Sequence, residues 1–307
     1  MRRRALWATF VTSCLITTGC SVMPVARLGY ENLPTLATWR ADSYLSLSAE
    51  QRALAAQRIA ALHAWHRSTQ LDDYGRFLRE VRQELAGQGV DEARIRGWRQ
   101  QLFERWIPIA DQAAPGVAAV AATLDAAQLE RLRQTLEQDN DALRRRWLPA
   151  APGERTEARY RRYVERAESF LGPLTAQQKQ LARRMAAEAP DTEERWYAQR
   201  LERQRDLLAL MDRIRTERPD AASANRWVRD HLRRYAPTPD GTDRQVVSSL
   251  AAGDAMSAAM LAIATPRQRQ HLDGKLRDWI DLVDGLRATA AATPVVPTRA
   301  PIAASAP

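Results

Sequence analysis

Cysteine is almost missing from the 307 residues: Cys14 and Cys20 are the two present. Cys14 falls within the leader described below, so Cys20 stands alone in the remainder. A disulfide framework is thereby excluded, and packing must hold the fold. Lysine is as scarce, at Lys179 and Lys275, so nearly all of the 46 basic residues are arginine. A high-GC genome produces that bias without selection; the functional account is a guanidinium fork that grips carboxylates or phosphates in a bidentate way. Four histidines occur, at His63, His66, His231 and His271. His63 and His66 can share a helix face near Asp72 or Asp73, but a zinc site needs three or four converging ligands, and no second pair of recognisable spacing follows. Glycine is sparse and runs of β-branched residues are nearly absent, so no sheet is expected. No apolar run reaches the roughly 20 residues of a membrane-spanning helix. There is no Gly-rich phosphate loop, no Gly-x-Ser-x-Gly elbow and no His-Glu-x-x-His helix. The expectation is a protein that is not an enzyme, without cofactor or metal.

What is present begins with a basic Met1-Arg2-Arg3-Arg4, a short apolar stretch from Ala5 to Ile16, and Thr17-Thr18-Gly19-Cys20. This order is a secretory leader, too short to act as a stop-transfer helix. The Ile16 to Cys20 stretch resembles a bacterial lipobox, with Thr17 in place of the usual leucine. The resemblance implies cleavage before Cys20 and a diacylglycerol thioether on its sulfur. Ser21, rather than aspartate, then implies export to the outer membrane, facing the periplasm. The expected organisation is a signal peptide over 1–19, a lipidated tether over 20–27, a helical body over 28–287 and a disordered Ala/Pro/Thr-rich tail over 288–307. The leader takes three arginines with it from the formal charge of +9, leaving a mildly basic body. A nucleic-acid partner is not expected outside the cytoplasm.

Ala, Leu, Arg, Gln and Glu dominate the body, a helix-favouring composition. Apolar stripes at helical spacing recur, among them Ile95, Trp98, Leu102, Trp106 and Ile109, and later Leu272, Leu276, Trp279, Val283 and Leu286, each expected to face the core. Turns are expected at Gly87 to Asp91, around Pro108 and Pro115-Gly116, at Pro149 to Gly153, at Gly172-Pro173, at Pro190, at Pro219 and at Pro237 to Gly241. The fold class is all-α, an elongated helical bundle or array of about eight to ten helices.

One phrase recurs: Leu47-Ser48-Ala49-Glu50-Gln51, Leu124-Asp125-Ala126-Ala127-Gln128, Leu174-Thr175-Ala176-Gln177-Gln178, and the looser Ala264-Thr265-Pro266-Arg267-Gln268. In each, a side-chain oxygen can accept from the N–H three places on while glutamine reaches back. Ser48, Asp125, Thr175 and Thr265 are therefore read as four helix N-caps. The first two phrases lie 77 residues apart and the last two 90 apart. An internal duplication with halves at 28–150 and 151–287 is one account; capping boxes recurring for local energetic reasons is the other.

The Leu-Thr-x-x-Gln form resembles the motif of small periplasmic stress chaperones, helical cradles that hold unfolded clients. Over a longer stretch, the lipobox, Tyr44-Leu45-x-Leu47-Ser48-x-x-Gln51, and Trp65-His66-Arg67 with Leu71 and Tyr74 resemble an uncharacterised family of helical proteobacterial lipoproteins. That resemblance implies no established activity. The candidate recognition patch is Trp65, His66, Arg67, Asp72 and Tyr74: an inward tryptophan would leave His66 and Arg67 on the flanks, able to meet Asp72 or Asp73 across a turn. Glu193-Glu194 are expected in solvated surface ion pairs. Arg144-Arg145-Arg146 with Arg159, Arg161, Arg162 and Arg166 should form a charged, solvent-facing hairpin, with anionic lipid contact as the alternative. The expected partners are the membrane, through lipid on Cys20, and a protein client or envelope component. The function that fits is non-catalytic binding of a chaperone-like kind, the alternative being a structural or assembly subunit.

Overall fold

A computed structural model describes residues 22–87, 89–148, 151–236 and 244–292. Twelve helical segments and no strand occur among the described residues: α1 (Val22–Glu31), α2 (Leu33–Leu45), α3 (Ala49–Ala86), α4 (Glu92–Glu104), α5 (Trp106–Ala121), α6 (Ala126–Trp147), α7 (Pro152–Leu171), α8 (Ala176–Glu188), α9 (Glu193–Glu217), α10 (Ala221–Arg234), α11 (Arg244–Ala262) and α12 (Pro266–Ala292). The chain is all-α. Single residues, Asn32 and Arg105, separate α1 from α2 and α4 from α5. The leader, Cys20 and most of the C-terminal tail lie outside the described residues.

The recurring phrase does more than start helices. At α3, Gln51 N–H donates to Ser48 Oγ at 3.2 Å and Ser48 N–H to Gln51 Oε1 at 2.9 Å. Asp125 and Gln128 close the same reciprocal box at α6, Thr175 and Gln178 at α8, and Thr265 and Gln268 at α12. The four boxes then join in pairs. Gln51 Nε2 donates to Gln128 Oε1 at 3.1 Å while Gln128 Nε2 donates back to Gln51 Oε1 at 2.7 Å. Each amide also reaches the carbonyl two residues before its partner's cap, Gln51 to Thr123 O at 2.6 Å and Gln128 to Ser46 O at 3.1 Å. The second pair repeats this: Gln178 and Gln268 exchange bonds of 2.8 and 2.9 Å, and Gln268 Nε2 reaches Pro173 O at 2.9 Å. Each amide thus donates twice and accepts twice, which meets its hydrogen-bonding capacity in full.

Each glutamine clasp is seated on a core of its own. Leu47 and Leu124, which precede two of the caps, are buried with Leu45, Ala55, Leu129 and Leu132. Leu174 is buried with Leu171, Ala182, Met256, Met260 and Leu272. The helices around the two clasps touch in the same order: α2 meets α6 while α3 meets α5, and α7 meets α12 while α8 meets α11. The halves do not stand apart, because α12 runs back along α3, α4 packs on α11, and α9 packs on α6 and α10. Gly172, at φ 75°, makes the turn from α7 into Pro173 that only glycine adopts without strain.

Several boundaries differ from the sequence expectation. Residues 22–27 belong to α1 and are not a tether, since Pro24 falls in the first turn, where no N–H is needed. The last helix runs through 288–292 before Pro294, its Thr289 hydroxyl bonded to Gly285 O at 2.7 Å. The break expected around Pro108 falls at Arg105, with Pro108 in the first turn of α5, whereas Pro115-Gly116 lies inside α5 and does not break it; the bare Cα of Gly116 faces the Arg58 side chain of α3, where a Cβ would sit 3.1 Å from Arg58 Cβ. Leu102, Trp106 and Trp279, expected in the core, are exposed. The break at Arg105 turns the stripe: its guanidinium lies 4.5 Å over the buried Phe77 ring and forms an ion pair with Asp73 at 2.6 Å, occupying the inward position itself.

Gln178 is 0 % exposed, so Gln178→Ala leaves buried amide and carbonyl groups without partners and should cost about 2–3 kcal/mol in urea unfolding. Gln51→Ala, at a half-buried site, should cost less.

Candidate functional site

Helix α3 is 38 residues long and continuous, and it carries His63, His66, Arg67 and Tyr74 along the side that α1 and α12 cover. The spacing of three, four and eleven residues places them on one face. Tyr30 of α1 comes down onto that face. His66 lies between two phenols, with Nδ1 3.0 Å from the Tyr30 hydroxyl and Nε2 3.1 Å from the Tyr74 hydroxyl. The Tyr30 ring also lies 4.7 Å from the His63 ring, centroid to centroid. Below them Leu71, Val283 and Leu286 form a small core that fixes α12 against α3. Arg67 Nε donates to Leu286 O of α12 at 3.2 Å.

Burial sets the protonation of this cluster. It pushes the Tyr30 hydroxyl up to about 12, against a smaller lowering by Arg67. It raises Tyr74 as well, and it lowers both His63 and His66, with His63 adding to the effect on His66. Both imidazoles are therefore neutral near pH 7, and His66 must take one proton from a phenol while giving one to the other. Both of its nitrogens are engaged, which leaves no lone pair for a metal. His63 Nε2 is buried with no hydrogen-bond partner. Among the described residues no group of His, Cys, Asp and Glu could hold a metal ion. Through these two hydrogen bonds the imidazole of His66 joins α1 to α3.

Of the five patch residues, the structure brings His66, Arg67 and Tyr74 to one face of α3. Trp65 is half-buried on the side of α3 roughly opposite the cluster, and its carbonyl accepts from Thr69 Oγ1 at 2.8 Å. The supposed turn before Asp72 does not exist: α3 continues, which puts Asp72 six residues and most of two turns beyond His66. Asp72 pairs with Arg287 of α12, and Asp73 with Arg76 and Arg105. Tyr30, which completes the cluster, lies 36 residues from His66 and carries no local signal.

The basic middle is also rearranged. Arg159 is buried, donating to Ala186 O and Ala189 O and pairing with Glu193 at 2.8 Å, and Arg162 reaches the same carboxylate at 2.7 Å. Glu193 is thus an inward counter-ion and not a solvated one; burial raises its pKa, but Arg159 and its other bonds outweigh this and hold it at about 2. A second inward pair joins Arg99 of α4 to the buried Asp254 of α11 at 2.8 Å. Asp91, Arg94, Trp98 and Gln101 border a shallow open depression whose walls are tied to α3 through Trp98 Nε1 and Glu84 Oε2 at 2.7 Å.

A different surface mixes aromatic and cationic groups. Phe170 of α7 and Trp279 of α12 are 45 % and 44 % exposed. Lys275, one turn before Trp279, holds its ammonium 5.8 Å from the Phe170 ring and bonds Ser169 O.

A model of the family of unknown function DUF6279 matches residues 43–233. That span takes in the first clasp, α3 with its histidines and tyrosine, and the first strand of contacts of the second clasp at Gln178. No curated protein and no solved structure matches the chain.

Because His63, His66 and His231 all have lowered pKa values in the fold, the unfolded chain takes up protons first as pH falls. Their contribution is full above the unfolded value of about 6.5 and is lost as pH falls below it towards the folded values. Urea midpoints measured from pH 7.5 to 5 should therefore decline, and His66→Gln should give a shallower decline.

Proposed function

We propose that this chain, which belongs to the family of unknown function DUF6279, is an outer-membrane lipoprotein of the periplasmic face that captures polypeptide without catalysing a reaction. The observation that carries the binding role is the Phe170, Lys275 and Trp279 surface, where the Lys275 ammonium lies 5.8 Å from the half-exposed Phe170 ring and Trp279, also half-exposed, follows one turn along α12. Exposed aromatics beside a cation suit an extended chain with apolar and acidic side chains, since rings offer large contact area at low entropic cost. The Leu-Thr-x-x-Gln likeness to small periplasmic chaperones points the same way, as does the lipobox ending at Cys20. The Tyr30, His66 and Tyr74 cluster belongs to the scaffold that holds α1 and α12 on α3. An assembly subunit is the second reading, favoured by the exposed Leu102 and Trp106 at the α4 to α5 break.

Capture is tested by light scattering from a reduced, unfolding client. The wild-type chain should suppress aggregation, and Phe170→Ala with Trp279→Ala should raise the half-suppressing concentration roughly 5- to 30-fold, the factor that 1–2 kcal/mol represents. Unchanged suppression would sink the assignment of the surface. Cross-linking from Trp106 to one stoichiometric envelope protein would favour the assembly role. Anchoring is tested separately: fatty-acid label and outer-membrane fractionation should both disappear in Cys20→Ala.

A further inference from the structure

Helices α1 and α2 turn an apolar side outward. Val25 and Leu28 are 64 % and 62 % exposed, Leu36 51 % and Trp39 66 %, with Leu33 also exposed. These are large side chains on the two segments nearest the N-terminus of the described chain. Helical hydrogen bonds carry through the junction, Asn32 N–H to Leu28 O and Leu36 N–H to Asn32 O, both 3.0 Å. With the helical path so continued, Val25, Leu28, Leu36 and Trp39 fall within an arc of roughly 80° at 3.6 residues per turn. The opposite side is occupied: Tyr30 packs with His63 and His66, and Ala41 and Tyr44 pack against the core of the first clasp. The stripe is therefore not a core face that failed to find its partner, because α1 and α2 already have one.

We infer that this stripe lies in the headgroup region of the bilayer and holds the body flat against it. The placement rests on Cys20 carrying lipid. Cys20 is two residues before the start of α1, and two residues of extended chain span about 7 Å, so acyl chains on Cys20 bring Val22 to the membrane surface. From Val22 to Trp39 the helices rise at most about 26 Å. If they stood upright, Leu36 and Trp39 would be carried into water; lying down, Val25, Leu28, Leu36 and Trp39 all meet the interface. Charge agrees with the second orientation. Arg27 and Glu31 are the charged residues between Val22 and Trp39, and they neutralise each other at 3.1 Å. Trp39 is amphipathic, a ring of the kind enriched at a membrane–water boundary, while Arg40 beside it turns to the Tyr44 ring and Asp139 of the body. A second copy of the chain is the competing occupant, and it would not require the stripe to begin beside the anchor.

An acylated chain has no free thiol once the leader with Cys14 is removed, so a single introduced cysteine can report the environment. Leu36→Cys and, as the control on α9, Glu202→Cys are labelled with an environment-sensitive nitrobenzoxadiazole probe in full-length protein. The labelled protein is then placed in vesicles of phosphatidylethanolamine and phosphatidylglycerol. Leu36 is exposed, so the substitution leaves packing intact, and helicity by circular dichroism checks this. The expected result is emission from position 36 that is several-fold brighter and blue-shifted in vesicles, quenched by brominated lipid, with no change at position 202. A water-like probe at position 36 in vesicle-bound protein overturns the inference. So does a blue shift without lipid that grows with protein concentration, which assigns the stripe to a second copy. Labelling of Cys20 in the wild type removes the anchor reading alone. The stripe is then judged on the same chain with added vesicles, where immersion of position 36 sustains it and a water-like probe overturns it.

Discussion

The reciprocal pairing of glutamines is the interaction on which the rest of this molecule depends. A helix N-terminus leaves four N–H groups without partners, and a capping box satisfies part of that demand locally. Here the same glutamine that closes the box also bonds its counterpart on a distant helix, so two helix starts are fixed together in one step. Gln51 with Gln128 and Gln178 with Gln268 each bring the ends of two helical hairpins into contact. A hydrogen bond between side chains adds little on its own in water, but a buried amide with every donor and acceptor met is costly to open. Leu47, Leu124 and Leu174 beside the caps keep water out and tie the polar clasp to apolar burial.

The clasps set where the helices begin; inward charges and small cores set how they lie. Among the described residues the core is not one mass but four clusters, one of them rich in alanine, which lets α5 and α10 approach closely. Around them Arg99 with Asp254 and Arg159 with Glu193 cross between helices that are far apart in sequence. Breaking one partner of such a pair strands a buried charge, so these contacts fix geometry even where their net contribution is small. The Tyr30, His66 and Tyr74 cluster works in the same way at the seam of α1, α3 and α12. It couples α1 to α12, the first and last of the described helices.

Much of the architecture was legible in the sequence, because helix propensity, three-and-four spacing and capping boxes are local signals. The four caps could be read residue by residue, and the offsets of 77 and 90 were open to an internal duplication. That the pairs bond directly could not be read, since nothing local distinguishes a glutamine that caps from one that also clasps. Proline was over-weighted at Pro115, which sits within α5, where Gly116 allows α3 close by. Exposure was the least legible property. Trp279 has the spacing of a core residue, but α12 is covered by α3 and α7 on other sides. The candidate site was half visible for the same reason: His66 and Tyr74 share a helix, whereas Tyr30 arrives by tertiary packing alone.

Amide hydrogen exchange at the four helix starts tests the clasp account most directly. Ordinary helix N-termini fray and exchange by local opening, far faster than the centre of the helix. If the glutamine pairs hold the hairpins together, peptides spanning 46–52, 123–129, 173–179 and 263–269 should exchange as slowly as the middle of α3 around Leu71. Their exchange should follow global unfolding as urea is added. Rapid, urea-independent exchange at these segments, with α3 still protected, would contradict the account and reduce the four phrases to independent caps.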